Sequence, residues 1–116
     1  MILRVWRAKI APARIGEYRR FERERCLPML RRQPGLLGVL FVRSAEDRAA
    51  SITIWEDGGT VEALESSPSY RETVRDLAEG GLLAGDASVE VLDVEGGEFR
   101  KEALAGALFR MRPAGS

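Results

Sequence analysis

SITIWEDGGTVEALESSPSY, residues 51–70, reads as a short β-branched strand closed by Trp55, an acidic Gly-Gly turn and a helix start. Asp57-Gly58-Gly59 turns the chain, and Thr60 is placed to cap a helix over 61–66 by accepting from a free first-turn N–H. Pro68 interrupts that helix. Ser69-Tyr70-Arg71-Glu72 then has the capping-box spacing that restarts it, and Val74, Leu77 and Ala78 continue its apolar side as far as Gly80-Gly81.

Upstream, LLGVLFVR at 36–43 is short, apolar and rich in β-formers, which predicts a strand buried on both faces. A polar connection over 44–50 makes it a hairpin with the strand that ends at Trp55. Before that hairpin, a helix is expected over about 13–33, with Ile15, Tyr18, Phe21, Met29 and Leu30 on one stripe and Glu17, Glu22 and Glu24 on a solvated face. Pro28 predicts a kink or break, and Pro34-Gly35 a stop. Residues 2–10 alternate as a strand, with Ile2, Trp6, Ala8 and Ile10 on one face and Arg4 among them. Downstream, 82–86 reads as a loop and 88–94 as a fourth strand. Gly96-Gly97 marks a boundary, so residues 1–97 form one domain and 98–116 an extension, partly helical or disordered.

Composition narrows the chemistry. The 116 residues suffice for one core, and 45% apolar with 31% charged content is that of a soluble globular protein. No apolar run approaches the roughly 20 residues that span a bilayer, and the N-terminus lacks a signal-peptide core. Cytoplasmic location and no membrane contact are expected. A lone Cys26 offers no intramolecular disulfide, and with no histidine to activate it the reading is an inert thiol. Eighteen acidic and 18 basic residues balance, which argues against nucleic acid as a partner. Histidine and asparagine are both absent. Ser-His-Asp and Cys-His systems and the common histidine metal sites are thereby excluded, and no metal or cofactor is expected.

The order β-α-β-β-α-β is the split arrangement of a ferredoxin-like α+β domain with a four-stranded antiparallel sheet. Two helices cover one sheet face only. Val39 and Phe41 against Leu40 and Val42, and Ile52 and Ile54 against Trp55, leave the central strands apolar on both sides. A second copy packing sheet to sheet resolves this, so a homodimer forming an α/β barrel is expected.

The run PMLRRQPGLLGVLFVRS (28–44), then ITIWED (52–57), ALESSPSYRETV (63–74) and SVEVLDV (88–94), resembles antibiotic-biosynthesis-monooxygenase (ABM) domains of the dimeric α/β-barrel superfamily over residues 1–97. The resemblance implies a small, often cofactor-free protein. Some members oxygenate aromatic, polyketide-like compounds, others degrade haem, and many have no known activity. Haem degradation in such relatives uses a histidine and an asparagine that this chain lacks, and its oxygenases also place an asparagine near their tryptophan. Two readings follow: a cofactor-independent monooxygenase of an aromatic molecule, or a non-catalytic, stress-related barrel that binds a small apolar ligand.

In such a fold the pocket lies between sheet and helices. Trp55 holds the family-matching position, with Trp6 and Phe41 as further aromatic walls; each also reads as ordinary core. Tyr18 and Tyr70, the only phenols, can hydrogen-bond a ligand or simply turn a polar tip to the core edge. Arg4 and Arg43 interrupt apolar strands, where a guanidinium either holds an anionic ligand or reaches solvent.

Overall fold

A computed structural model describes residues 1–100. Four strands, β1 (Ile2–Lys9), β2 (Leu36–Ala45), β3 (Arg48–Trp55) and β4 (Ser88–Asp93), form one sheet in the order β2-β3-β1-β4. All three pairings are antiparallel, which is the ferredoxin-like arrangement. The central pair sets Ile2 opposite Trp55, Arg4 opposite Thr53 and Trp6 opposite Ser51, so these side chains share the helix-covered face. Arg4, Trp6 and Ala8 are buried on that face as expected, and Val5, on the other, is buried as well.

The first helical region is continuous but changes pitch. A single 3₁₀ turn (Pro12–Arg14) leads into α1 (Ile15–Phe21), a π-helical turn (Glu22–Cys26) and α2 (Leu27–Arg31). Instead of breaking at Pro28, the helix widens ahead of it. Proline has no N–H and its ring crowds the carbonyl four residues back, here that of Glu24. The wider turn accommodates this, with the Leu27 N–H donating to the Glu22 carbonyl in the i→i−5 pattern.

Helices α3 (Gly58–Ser66) and α4 (Pro68–Glu79) complete the layer. Their starts differ from expectation by a few residues. Asp57 is the cap of α3, accepting from the Thr60 N–H at 2.9 Å, while Thr60 sits three residues in and closes the reciprocal half of the box. The α4 helix begins at Pro68, because proline at a first helical position forfeits no bond. Gly35, ahead of β2, has φ +82°, and a Cβ there would lie 2.3 Å from Thr60 Cγ2. Only glycine joins α2 to the sheet by this route.

Two groups of side chains fill the space between sheet and helices. Trp6, Ile10, Tyr18 and Leu77 centre one, and Met29, Leu30, Trp55, Val61 and Leu64 the other. The opposite face carries Leu3, Val5, Leu40, Val42, Ile52, Ile54 and Leu92 by register, and no described element covers it. Leu40, Val42 and Leu92 are accordingly exposed in the single chain. The predicted 82–86 loop is partly tied down: Leu82 is buried and Leu83 bridges Ile10. In the extension Phe99 is exposed, and the expected partly helical or disordered segment beyond residue 100 lies outside the described residues. Among the described residues no helix is long and apolar enough to cross a membrane.

Candidate functional site

The alternation of β1 carries Arg4 and Trp6 to the underside of the helices, where they meet Tyr18 from α1, Met29 and Leu30 from α2, and Tyr70 and Thr73 from α4. Together they line a cleft of about 40 Å³. Arg4 is 4% exposed, a rare state for a cation. One of its terminal nitrogens, Nη2, donates to the Tyr70 hydroxyl at 2.8 Å and to Glu65 Oε2 at 3.3 Å. The guanidinium carbon also lies 5.2 Å from the Tyr70 ring centroid, a cation–π distance. Glu65 is half-exposed, so solvent weakens its neutralising pull. The Arg4 Nε–H is buried with no partner. Arginine only donates, so Tyr70 accepts from it and keeps its own proton for a third group. Arg4 Nε and the Tyr70 hydroxyl, on two residues that line the cleft, thus each retain a hydrogen to donate.

A second chamber, about 80 Å³, lies between α1 and the β2–β3 hairpin, lined by Tyr18, Arg19, Glu22, Phe41, Arg43 and Glu46 among others. Tyr18 walls both spaces. The seven sequence candidates therefore divide: Arg4, Trp6, Tyr18 and Tyr70 meet at the cleft, and Tyr18, Phe41 and Arg43 at the chamber. Trp55 reaches neither. It is fully buried among Met29, Leu30, Val61 and Leu64, and its indole N–H donates to Thr53 Oγ1 at 2.7 Å.

Glu22 is not on a solvated face. It is 6% exposed, and its Oε2 has no partner. Burial pushes its pKa up to about 7, against the opposing influence of Tyr18 and Arg19. The same burial, with the Glu22 charge, raises Tyr18 well above the ordinary phenol range. Cys26 is pushed up to about 12, chiefly by burial, which leaves it a thiol at neutral pH. Periodicity contained the signal for Glu22: Ile15, Tyr18, Glu22, Cys26 and Met29 advance in steps of three and four, placing the carboxyl on the apolar stripe.

A raised carboxyl pKa has a definite sign in stability. The folded state holds the proton more tightly than the unfolded chain, so stability falls as pH rises from 4.5 to about 7 and is level beyond. The span corresponds to about 3 kcal/mol. Glu22→Gln should therefore be more stable than the parent in urea unfolding at pH 8, with the gain shrinking toward pH 4.

No protein-family model matches the chain, and none of the curated proteins does. Among solved structures the likeness is extensive. A Deinococcus radiodurans protein named for antibiotic biosynthesis monooxygenases superposes with TM-score 0.73 at 12% identity, covering 86% of this chain and 98% of that one. SnoaB from Streptomyces nogalater, described as a cofactor-independent oxygenase and solved as a point variant, gives TM-score 0.63 at 17% identity, covering 83% and 94%. NE2512 from Nitrosomonas europaea, of unknown function, gives 0.72 at 12%, covering 85% and 93%. The chain has the ABM-like ferredoxin fold. At these identities the likeness is one of fold, and function has to be argued from the site.

Proposed function

We propose that this protein binds an aromatic or polyketide-like molecule between sheet and helices and acts as a cofactor-independent monooxygenase. The observation that carries the reading is Arg4, a buried guanidinium beside Tyr70 with an Nε–H left over. That pair can hold an enolate or phenolate oxygen in a site removed from bulk water. The substrate anion is then the reductant of dioxygen, which asks of the protein only that it stabilise the anion and exclude water. SnoaB, with the same fold, is described as a cofactor-independent oxygenase, which supports the same class here. Oxygen uptake with anthrone- and quinol-type compounds tests the activity; rates at the uncatalysed background across such a panel would remove it.

The volume of the cleft favours a second reading. At about 40 Å³ it is far below the roughly 300 Å³ of common ligand pockets, so an aromatic guest requires Tyr18, Met29 and Tyr70 to yield. A non-catalytic barrel that opens for a small apolar ligand fits the same walls. Anthrone binding without oxygen uptake would select this reading over the first.

Both readings include a homodimer through the uncovered sheet face, with the protein in the cytoplasm. Leu40, Val42 and Leu92 beside Ile52 and Ile54 form an apolar surface of the kind that a second copy covers. Light scattering at micromolar concentration should give the mass of two chains, and Ile52→Glu, at the middle of the face, the mass of one. A single-chain mass for the parent protein would end the dimer proposal.

A further inference from the structure

We propose that the chamber between α1 and the β2–β3 hairpin is a binding site for a small neutral molecule that carries a primary carboxamide on a short apolar group. The site is separate from the Arg4–Tyr70 cleft and does not depend on what binds there. Two residues of its lining each hold a buried polar atom without a hydrogen-bond partner, Arg19 Nε and Glu22 Oε2. Glu22 is 6% exposed, so solvent does not serve its carboxyl. The two residues lie three apart on one helical region, yet no nitrogen of Arg19 comes within 4.0 Å of a Glu22 oxygen to form an ion pair. A donor and an acceptor thus stand open on two residues that line one space. Leaving either unmet is costly, and a ligand that brings both partners removes the cost.

The rest of the lining decides what answers them. Ile10, Ile15, Phe41, Val42 and Ala49 are apolar. A volume of about 80 Å³ holds on the order of six water-sized atoms at roughly 10–15 Å³ each. A buried water needs about two to four polar partners. The two open atoms satisfy one or two such waters and leave the others against hydrocarbon. A molecule of about the same six heavy atoms, polar at one end only, leaves none. Arg19 and Arg43 are balanced in the lining by Glu22 and Glu46, so the chamber draws no net charge. An ionised ligand would lose its hydration there without an excess of opposite charge to replace it.

A primary carboxamide has the required acceptor and donor on one planar group. Its carbonyl oxygen accepts from the Arg19 Nε–H, and its N–H donates to Glu22 Oε2, each bond assisted by the charge on the protein side. The alkyl group then meets the apolar lining. A ketone or ester supplies the carbonyl but leaves Glu22 unmet. An amine supplies the N–H and leaves Arg19 unmet, and a carboxylate sets a second negative oxygen against Glu22. The hydrogen-bond pattern therefore selects the amide, because a site built around a donor and an acceptor rejects analogues that leave one of them unpaired.

Isobutyramide and its isostere 3-methyl-2-butanone, in which a methyl group replaces the NH₂, test this by ¹H–¹⁵N NMR titration of the full chain. Saturable shifts with isobutyramide should centre on the backbone amides of Ile15, Arg19, Glu22, Phe41 and Ala49, with a Kd on the order of millimolar for so few atoms. The ketone should bind at least about tenfold more weakly, as the loss of a hydrogen bond to a charged group predicts. Arg19→Met keeps the apolar stem and removes the donor, and it should weaken isobutyramide by a similar factor. Equal affinity for the two probes, unchanged binding in a folded Arg19→Met, or shifts centred on Arg4 and Tyr70 overturns the assignment. So does the absence of saturation up to about 50 mM, the result for a chamber that holds water only. Should Arg19→Met fail to fold, the two probes on the parent protein decide the matter alone.

Discussion

Trp55→Ala should destabilise the fold by about 3–5 kcal/mol, enough to leave a marginal domain largely unfolded at room temperature. The indole is fully buried, enclosed by Met29, Leu30, Val61 and Leu64, with Ile2 and Leu36 opposite it on the flanking strands. Alanine would leave a large cavity where sheet, α2 and α3 converge. It would also remove the donor that Thr53 Oγ1 receives at 2.7 Å. Trp55→Phe keeps most of the volume and should lose far less. Because Trp55 lines neither space beside Tyr18, the phenylalanine variant should bind ligand as the parent does. Urea unfolding followed by circular dichroism measures the first effect, and a binding titration the second. A small loss for Trp55→Ala would mean the core is not closed around this residue.

Arg4→Met should have the opposite profile, with function lost and the fold kept. Methionine preserves the length and apolar stem of the side chain while removing every donor. Loss of a donor aimed at a developing anion typically costs about 10²–10³ in rate, and the same loss is expected for oxygen uptake with an anthrone-type substrate. Stability should hold or rise. The guanidinium is 4% exposed, its carboxylate partner is half in solvent, and its Nε is unpaired, so the buried charge is poorly compensated. A variant that melts well below the parent would show that Arg4 is chiefly structural, held in place for Tyr70 and Glu65.

The strands were legible because burial follows a period of two. Arg4 among Ile2, Trp6 and Ala8 was visible as a polar intruder on an apolar face, and the structure buries it there. Glu22 escaped notice because charged residues crowd that helix, and composition outweighed spacing. Its step of four from Tyr18 nevertheless sets it on the apolar stripe, at the start of the π turn. Trp55 read as a pocket wall through its family-matching position at the end of the strand. Its N–H is answered within its own strand by Thr53, two residues earlier, and that pairing takes the ring out of any cavity. Thr60 was read as the cap and Asp57 only as part of the turn, and the cap falls on Asp57 because its backbone is extended where Thr60 is already helical. Pairing with a second chain, by contrast, is signalled only by an apolar face that β2, β3 and β1 leave uncovered.

The central claim is that the ligand site lies at the Arg4–Tyr70 cleft, against Trp6 and away from Trp55. Tryptophan emission during an anaerobic titration with anthrone tests it directly, since the chain has two tryptophans. Saturable quenching should persist in Trp55→Phe, whose remaining indole lines the cleft, and disappear in Trp6→Phe. Quenching that survives in Trp6→Phe and vanishes in Trp55→Phe would place the ligand in the other half of the core and contradict the account.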